Sequence, residues 1–479
     1  MAGRIRFGTD GWRAIIADEF TFGNVALCAQ GIASYLLKEG IANRGLVVGY
    51  DTRFASREFA GRVAEVMAGN GIRAYLASSP APTPAVSYSI LQHSAAGACV
   101  ITASHNPAAW NGLKYKPSYA GSASPEVIAR LEDEIGEAEG KGVSTLPLEE
   151  AQGSGLVQSM DPAPAYLEQM GRLVDLELVR RSGLNVIVDS MYGAGAGYLA
   201  QLLGHDGAGD GATRVQEIHG EVNPAFPGIR QPEPIAANLT HLSQTVLEQN
   251  ASVGIALDGD ADRLGVVDES GVCLSTLQAF ALIAYYLLEQ KGQRGALIRS
   301  LTSTTMIDKL GERYGVPVIE TPVGFKDIGT AMLREDALMG GEESGGYGFR
   351  GHIPERDGVL SGLLFLEYMA KTGLSPSQLL QQLYQMVGEH HYQRRDVTFP
   401  TERRAQIQAK LEGAELTHLG GVPIESTDSV DGRRFVLAGG AWLAVRFSGT
   451  EPLLRIYGEA GSPGLVKDML DDAGAYLGV

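Results

Sequence analysis

The sequence has few cysteines and few basic residues, and each shortage excludes a class of protein. The 479 residues include only Cys28, Cys99 and Cys273, with no CxxC pair. Such a chain has no disulfide framework and suits a reducing compartment. Lysine and arginine number 39 against 56 aspartates and glutamates, a formal net charge of −17. Nucleic acids and anionic membrane surfaces reward clustered positive charge, so neither is expected as the main partner.

Long apolar runs are also scarce. The stretch from Leu277 to Leu288 is interrupted by Gln278 and is too short to cross a bilayer. The first residues, MAGRIRFGTDGWR, have no apolar core of the kind that a secretory signal needs. We therefore expect a cytoplasmic protein. Hydrophobic residues make up 44% of the chain, which is typical of globular domains, and a chain of this length should divide into several of them.

Short apolar runs alternate with amphipathic segments of helical length, which predicts an α/β fold built from βαβ units. Three of the apolar runs end on an aspartate, at Asp51, Asp189 and Asp258. We interpret this repeated pattern, an apolar run that ends on aspartate, as a sign of three related α/β units. The segment 136–155 is rich in glycine and glutamate and predicts a linker. The last part, with a closing helix over 463–477, predicts a smaller α+β unit.

The segment DGDADR, Asp258 to Arg263, places three carboxylates at alternate positions after an apolar run. Alternating carboxylates in a loop can converge on one hard divalent cation. An EF-hand is excluded, because the loop position that needs glycine is Arg263 and the preceding residues predict a strand. A solvated acidic turn is the other interpretation, although three aspartates so close would repel one another without a cation. We therefore favour Mg²⁺ binding at Asp258, Asp260 and Asp262.

The hexapeptide TASHNP contains a neighbouring serine and histidine, Ser104 and His105, after another apolar run. Adjacent side chains need not meet, and the chain has no G-x-S-x-G segment, so a hydrolase triad is not indicated. Lys114 follows ten residues after the serine, beyond an Asn-Gly turn signal, and could share a proton or a phosphate with it. Taken alone, such a hexapeptide is more often a structural turn than a catalytic loop.

A candidate phosphate-binding segment lies near the end of the chain. RFSGTEP begins with Arg446, whose planar guanidinium matches the geometry of phosphate. Ser448, Thr450 and the backbone of Gly449 add further hydrogen-bond donors. Many surface turns have the same composition, so the segment alone leaves both interpretations open.

A candidate sugar-binding segment is GEESGG, which contains Glu342 and Ser344 in a glycine-rich loop. A carboxylate accepts hydrogen bonds from two neighbouring hydroxyls, which is a common way to hold a sugar diol. By itself the segment is more often a charged loop without a ligand. The following HIPERDG adds charge without a decisive pattern.

The order of these segments along the chain is more specific than any one of them. A serine loop, an aspartate loop, a Glu-x-Ser loop and a final Arg-x-Ser-x-Thr-x-Pro together resemble the motifs of the α-D-phosphohexomutase superfamily, in particular its phosphoglucomutase/phosphomannomutase group. From Ser104 to Pro452 the resemblance covers nearly all of the chain. It implies three similar mixed-sheet α/β domains and a smaller C-terminal α+β domain around a central cleft.

The domain division expected from this resemblance follows the four motifs. It comprises 1–150 with the phosphoserine loop, 151–268 with the metal-binding loop, 269–385 with the sugar-binding loop and 386–479 with the phosphate-binding loop.

The resemblance also implies roles for individual residues. Ser104 would carry the transferable phosphoryl group and would hold Mg²⁺ together with Asp258, Asp260 and Asp262. Lys114 corresponds to the candidate general acid/base of the family. The reaction centre would further be lined by Arg13, His105 and Arg263. The substrate would contact Glu342, Ser344, Phe325 and Lys326 around the sugar, and Arg446, Ser448, Gly449 and Thr450 at the phosphate that is not reacting.

The expected activity is that of a phosphoglucomutase, which interconverts glucose 1-phosphate and glucose 6-phosphate through a phosphoserine and glucose 1,6-bisphosphate. GEESGG followed by HIPERDG resembles the glucose-preferring members, and mannose phosphates are further expected substrates. Phe325 stands where relatives more often have histidine or tryptophan. The alternatives are a phosphomannomutase or phosphoglucosamine mutase, a phosphatase, and, from another class, a non-catalytic sugar-phosphate sensor. A monomer or a homodimer fits each of them.

Overall fold

Four β-sheets follow one another along the chain in the computed structural model, which describes residues 5–8, 10–204, 211–447 and 453–479. The first sheet has the strand order β1-β5-β4-β2-β3-β6. Strands β4, β2, β3 and the edge strand β6 are parallel, whereas β5 runs antiparallel between β4 and β1. The strands and helices of this unit are β1 (Trp12–Ile15), α1 (Phe22–Lys38), β2 (Leu46–Tyr50), α2 (Ser56–Gly69), β3 (Ala74–Ala77), α3 (Thr83–His93), β4 (Gly97–Ile101), β5 (Trp110–Pro117), α4 (Pro125–Lys141), α5 (Leu148–Gly153) and β6 (Val157–Met160).

The second sheet has the order β11-β10-β9-β7-β8, with β9, β7 and β8 parallel and the other two pairs antiparallel. The elements of this unit are α6 (Ala163–Leu173), α7 (Leu176–Arg180), β7 (Asn185–Asp189), α8 (Tyr198–Leu203), β8 (Arg214–Ile218), α9 (Thr240–Glu248), β9 (Val253–Leu257), β10 (Leu264–Val267) and β11 (Cys273–Leu274). The wholly apolar strand β9 is buried at every residue, as a central parallel strand requires.

The third sheet has the order β13-β12-β14-β15, in which only the β14–β15 pair is antiparallel. The elements of this unit are α10 (Thr276–Tyr285), β12 (Leu297–Ser300), α11 (Met306–Tyr314), β13 (Val318–Thr321), α12 (Phe325–Glu335), β14 (Met339–Gly341), β15 (Tyr347–Phe349), α13 (Gly358–Thr372) and α14 (Pro376–Val387). Asp357 caps α13, because its carboxylate accepts the backbone N–H of Leu360 at 2.8 Å.

The fourth sheet, β16-β21-β20-β19-β18-β17, is antiparallel throughout. Its elements are β16 (His391–Thr398), α15 (Arg404–Glu412), β17 (His418–Leu419), β18 (Val422–Asp428), β19 (Arg433–Leu437), β20 (Trp442–Phe447), β21 (Leu453–Ala460) and α16 (Pro463–Leu477). The predicted fold class, three mixed-sheet α/β domains and a smaller C-terminal α+β domain, is thus confirmed. No helix in the described part of the chain is long and apolar enough to cross a membrane.

The second and third sheets share one apolar core. Ile255 and Leu264 of the second sheet belong to the same buried cluster as Phe280 of α10 and Leu363 of α13. Helix α13 makes this possible, because it is apolar on nearly all sides and is buried from Gly358 to Met369. The first and fourth sheets each have a separate buried cluster.

Two sequence interpretations were wrong in detail. The three apolar runs that end on aspartate are β2, β7 and β9, and the last two belong to the same sheet, so the repeated pattern does not mark three domains. The segment 136–155 is not an open linker, because α4 continues to Lys141 and α5 occupies 148–153. Gly136, Gly140 and Gly153 lie within these helices, whereas Gly142 ends α4 and Gly155 follows α5.

The expected domain boundaries stay a prediction, and two of them separate strands that pair. Strand β6, beyond the boundary at 150, pairs in parallel with β3 of the first sheet. Strand β11, beyond the boundary at 268, pairs with β10 of the second sheet. The short polar strand β6 carries no hydrophobic pattern that could have assigned it to a sheet.

The contact between α1 and α4 generates a prediction with a built-in control. A Cβ on Gly31 of α1 would lie 2.4 Å from the Ile135 side chain and 2.8 Å from its backbone nitrogen, whereas a Cβ on Gly136 of α4 meets nothing within 4 Å. Gly31→Ala should therefore destabilise the protein by about 1–3 kcal/mol, because the helices must separate. Gly136→Ala should stabilise it by about 0.5–1 kcal/mol, because alanine favours the helix.

Thermal and urea unfolding of the two variants beside the wild type measures both effects. If Gly31→Ala stabilised the protein as Gly136→Ala does, the close α1–α4 packing would be contradicted.

Candidate active site

The serine loop connects β4 to β5, and its serine is buried. Ser104 is 1% exposed and has a φ of +51°, in the left-handed region that side chains seldom adopt. Its backbone N–H donates to the Thr102 hydroxyl at 2.8 Å. Its own hydroxyl donates to Oδ2 of Asp258 at 2.8 Å. The unusual backbone thus aims the serine oxygen directly at the aspartate loop.

A buried arginine holds the backbone of this loop. The Arg53 guanidinium donates to the carbonyl oxygen of Ser104 at 2.6 Å and to that of Asn106 at 2.5 Å. It also donates to the carbonyls of Pro107 and Trp110, each at 3.0 Å, and pairs with Asp51 at 3.2 Å. Because β2 and β4 are parallel neighbours, the segment after β2 reaches the loop after β4. Arg53 therefore fixes the conformation of the serine loop.

The aspartate loop follows β9 and packs directly on the serine loop. Oδ1 of Asp258 accepts the backbone N–H groups of Asp262 at 2.9 Å and Arg263 at 3.1 Å, which folds the loop back on itself. A Cβ at Gly259 would lie 2.4 Å from the carbonyl oxygen of Ser104, so only glycine allows the two loops to approach this closely. The EF-hand was correctly excluded, because the loop follows a strand.

The three aspartates offer a fitting site for a divalent cation. One carboxylate oxygen from each of Asp258, Asp260 and Asp262 lies within 4.8 Å of the others, and all three residues are fully buried. Oδ1 of Asp260 and Oδ1 of Asp262 are buried without a hydrogen-bond partner among the described residues. Burial raises the pKa of Asp258 well above its usual value, and the charges of Asp262 and Asp260 raise it further.

A hard divalent cation would neutralise this repulsion, and an all-oxygen donor set suits Mg²⁺. Asp258, Asp260 and Asp262 would hold it beside the oxygen of Ser104. The ion would supply positive charge to the oxygens of a phosphoryl group on that serine.

Lys114 stands on β5 with its ammonium group against the same loop. Its Nζ lies 2.8 Å from Asp260, 3.1 Å from Asp262 and 2.9 Å from Asp10, and the side chain is 1% exposed. Burial disfavours its charge, but the three carboxylates outweigh burial and raise the pKa of Lys114 above its usual value. In this arrangement Lys114 is a charged hydrogen-bond donor directed at the aspartate loop.

His105 lies among positive charges. Its Nδ1 is 3.5 Å from the Ser104 hydroxyl, and its pKa is well below the usual value because of burial and of nearby Arg263 and Arg13. Arg13 donates to the side-chain oxygen of Asn106 at 2.8 Å, and Arg263 lies 3.4 Å from Glu233. A neutral imidazole surrounded by guanidinium groups suits an anionic ligand such as phosphate.

The predicted sugar loop joins β14 to β15. Oε1 of Glu342 accepts the Ser344 hydroxyl at 2.7 Å and Nη1 of Arg356 at 2.9 Å. The next residue, Glu343, points to the fourth sheet, where the Tyr392 hydroxyl donates to it at 2.6 Å. The two consecutive glutamates therefore have different partners, and Glu342 is linked to Asp262 of the aspartate loop through Arg356.

The remaining predicted contacts are more scattered. Phe325 is only 2% exposed, with the Arg356 guanidinium 5.5 Å over its ring, and Lys326 pairs with the neighbouring Asp327 at 3.4 Å. Arg446 of β20 pairs with Asp431 at 2.8 Å. Ser448, Gly449 and Thr450 lie outside the described residues. The roles of all these residues stay predictions.

Sequence reasoning missed two charged residues that the structure brings into the centre. Asp10 accepts Lys114 at 2.9 Å and Lys116 at 2.8 Å, and its pKa is well below the usual value, because these lysines and Arg356 outweigh burial. Arg356 is 4% exposed and pairs with Asp262 at 2.9 Å. One signal was available: Arg356 stands just before the almost wholly apolar α13, where a charge will be buried and needs a partner.

Comparison with known proteins relates the chain to one protein family. Models of the phosphoglucomutase/phosphomannomutase family match four consecutive parts of the chain. They are the alpha/beta/alpha domains I, II and III, at residues 4–141, 164–271 and 277–387, and the C-terminal domain, at residues 399–473.

Relatives match over almost the whole length. A phosphoglucomutase/phosphomannomutase of Thermococcus kodakarensis is 30% identical, with 97% of this chain and 96% of that protein covered. A phosphoglucomutase of Komagataeibacter xylinus is 28% identical over 95% and 87% of the two chains. A phosphoglucosamine mutase of Heliobacterium modesticaldum is 29% identical over 97% of each chain. The crystal structure of a Thermus thermophilus protein that carries the name phosphomannomutase is 35% identical, with a TM-score of 0.86 and full coverage of both chains.

The fold and these matches define an enzyme that transfers a phosphoryl group within one sugar phosphate. The chain belongs to the phosphoglucomutase/phosphomannomutase family of α-D-phosphohexomutases. The names of the relatives differ in the sugar, so the family fixes the reaction type and leaves the hexose open.

The aspartate site generates a binding prediction. Mg²⁺ should raise the unfolding temperature relative to protein in EDTA, because the ion offsets repulsion among buried carboxylates. At an ion concentration of 100 times Kd the stabilisation should be about 2.7 kcal/mol.

Asp260→Asn should weaken Mg²⁺ binding at least tenfold, whereas Asp133→Asn, at an exposed position of α4, should leave it unchanged. Titration calorimetry and thermal unfolding measure both. Identical unfolding temperatures in Mg²⁺ and EDTA would contradict the site.

Proposed function

We propose that the protein is a phosphoglucomutase that interconverts glucose 1-phosphate and glucose 6-phosphate through a phosphoserine at Ser104 and a glucose 1,6-bisphosphate intermediate. The observation that carries this proposal is the buried hydrogen bond between the Ser104 hydroxyl and Asp258, which puts a nucleophilic oxygen beside three carboxylates competent for metal binding. A serine that only shaped a turn would not need this partner.

The phosphoserine would donate its phosphoryl group to a free hydroxyl of the hexose phosphate. The bond between Ser104 Oγ and phosphorus breaks, and a bond between phosphorus and the sugar oxygen forms. The sugar hydroxyl loses a proton, and the serine oxygen gains one. Lys114, whose ammonium pairs with Asp260 and Asp262, would give a proton to the serine oxygen and take the proton that the sugar hydroxyl loses, so it would end the step in the charge state in which it began. The second half-reaction reverses these steps at the other phosphate.

The positive charges around His105 would stabilise the phosphoryl group in transfer. Phosphoryl transfer is mainly positioning together with neutralisation of charge on the equatorial oxygens. Arg13 and Arg263 approach the reaction centre from two different sheets, so the group would be enclosed from both sides. Burial of Ser104 would also keep water away from the phosphoserine and favour the mutase over the phosphatase reaction.

Glu342 and Ser344 would bind hydroxyls of the sugar, and Arg446 would bind the phosphate that is not reacting. Both halves of the reaction must use these groups, since the intermediate turns around between them. One oxygen of Glu342 accepts hydrogen bonds from Ser344 and Arg356, and the other oxygen would accept one from a sugar hydroxyl. Phe325 would act through Arg356 rather than by direct contact, because its ring is buried beneath that side chain.

The first prediction concerns the serine. Ser104→Ala should lower turnover of glucose 1-phosphate by at least about 10³-fold, because it removes the hydroxyl that donates to Asp258, while substrate binding persists. Ser154→Ala, in an exposed turn after α5, should keep wild-type turnover. Coupled assay measures turnover, and intact mass after incubation with glucose 1,6-bisphosphate detects the phosphoserine. Near wild-type turnover of Ser104→Ala would refute the mechanism, and an inactive wild type that binds hexose phosphates would favour the sensor.

The second prediction concerns the sugar. We expect kcat/KM to be highest for glucose 1-phosphate, lower for mannose 1-phosphate and lowest for glucosamine 1-phosphate, because the Glu342 loop resembles that of glucose-preferring relatives. Steady-state kinetics with each sugar and its own 1,6-bisphosphate activator measures the order. A higher value for mannose 1-phosphate or glucosamine 1-phosphate would assign the enzyme to the corresponding mutase instead. Phosphate release as fast as isomerisation would identify a phosphatase.

A further inference from the structure

Arg356 contacts carboxylates from three separate parts of the chain. It lies in the segment between β15 and α13 and is 4% exposed. Nη2 pairs with Asp10 at 2.5 Å and with Asp262 of the aspartate loop at 2.9 Å. Nη1 pairs with Glu342 of the sugar loop at 2.9 Å. One guanidinium therefore bridges the predicted metal site and the predicted sugar site.

The guanidinium is well suited to fix the distance between these carboxylates. Its atoms are coplanar and its donors form a rigid fork, so two carboxylates on different donors are held in a defined relation. A lysine ammonium is a point charge on a flexible stem and cannot impose the same geometry. Many arginines stabilise a single carboxylate. Here the guanidinium links carboxylates of two loops, and this link depends on its two separate donor nitrogens.

Neighbouring residues hold Arg356 itself in one conformation. The ring of Phe325 lies beneath the guanidinium at 5.5 Å. A Cβ on Gly346 would lie 2.1 Å from Cδ of Arg356, so only glycine leaves room for the side chain along this path. Phe325 and the backbone at Gly346 thus hold Arg356 directed toward Glu342 and Asp262.

We propose that Arg356 is a positioning residue of the reaction, which places the sugar-binding carboxylate of Glu342 at a fixed distance from the phosphoryl-transfer centre at Asp262. This inference rests on the proposed function, because it takes Glu342 as the contact of the sugar hydroxyls. Arg356 acts through Glu342 and need not touch the substrate. Without the Arg356 side chain, Glu342 is no longer linked to the aspartate loop. The sugar hydroxyl that accepts the phosphoryl group then lies at the wrong distance from the phosphoserine.

A misplacement of about 1 Å can cost about 100-fold in rate, so the main effect falls on kcat. Arg356→Met should lower kcat for the preferred hexose 1-phosphate by about 100-fold and raise KM by less than tenfold. Arg356→Lys should recover only a small part of kcat, since the bridge needs the fork. Mg²⁺ affinity should change by less than about threefold, because Lys114 still pairs with Asp260 and Asp262. Arg350→Met is the matched control, because Arg350 lies in the same segment between β15 and α13 but donates to the carbonyls of Asp336 and Arg294, and it should stay near wild type.

A double-mutant cycle with Glu342→Gln tests whether Arg356 works through Glu342. In the Glu342→Gln background, Arg356→Met should lower kcat by less than about threefold further, because two residues in one interaction are not additive. Independent, multiplying effects would overturn the proposal. It would also be overturned if Arg356→Met kept kcat within threefold of wild type, or if Mg²⁺ affinity fell in parallel with kcat.

Folding and the proposed function are checked separately. Circular dichroism and thermal unfolding establish that each variant is folded. Should Arg356→Met fail to fold, Gly346→Ala displaces the same side chain and should lower kcat more than KM, and an unchanged kcat would then overturn the proposal. A wild-type enzyme without turnover on any hexose phosphate would refute the proposed function, which is a different result from an active wild type with an unaffected Arg356→Met variant.

Discussion

The structure depends on the neutralisation of buried carboxylates. Asp10, Asp258, Asp260 and Asp262 lie almost out of contact with water, where unpaired charges are very unfavourable. The cations that offset them come from distant parts of the chain, Lys114 from the first sheet and Arg356 from the third. The buried carboxylates are therefore neutralised only when these parts of the chain have come together. A missing partner would leave a buried charge uncompensated, which is far more costly than loss of a surface ion pair.

Close approach of two loops is the second requirement, and it is met by the backbone. Gly259 lets the aspartate loop touch the serine loop, and the left-handed conformation of Ser104 turns its hydroxyl toward Asp258. Strain of this kind persists only where the surroundings impose it. Arg53 supplies that constraint, since one guanidinium binds the carbonyls of three loop residues and that of Trp110 at the start of β5. Ion pairs, backbone conformation and close packing thus all hold the serine loop against the aspartate loop, where the reaction is expected.

Much of the fold could be predicted from sequence because strand and helix periodicity is local. The runs that became β2, β4 and β9 are continuous and apolar, and the polar residues directly after them mark the loops of the site. The motifs with several functional residues in a short segment, such as Asp258 to Asp262, were likewise visible. Partners that meet only in three dimensions were not visible. Arg53 and Arg356 each stand in an ordinary charged segment of the sequence. Their role depends on contacts with loops that are distant along the chain, and the sequence does not show these contacts.

The apolar core that the second and third sheets share has a consequence for the motion of the enzyme. Because α13 packs against both sheets, relative motion of the aspartate loop and the Glu342 loop would have to open buried apolar surface. The fourth sheet has its own core and meets the Glu342 loop through polar contacts such as Tyr392 to Glu343. In the proposed reaction, an intermediate that turns around would therefore be released first on the side of the fourth sheet, while the aspartate loop and the Glu342 loop keep their relative position.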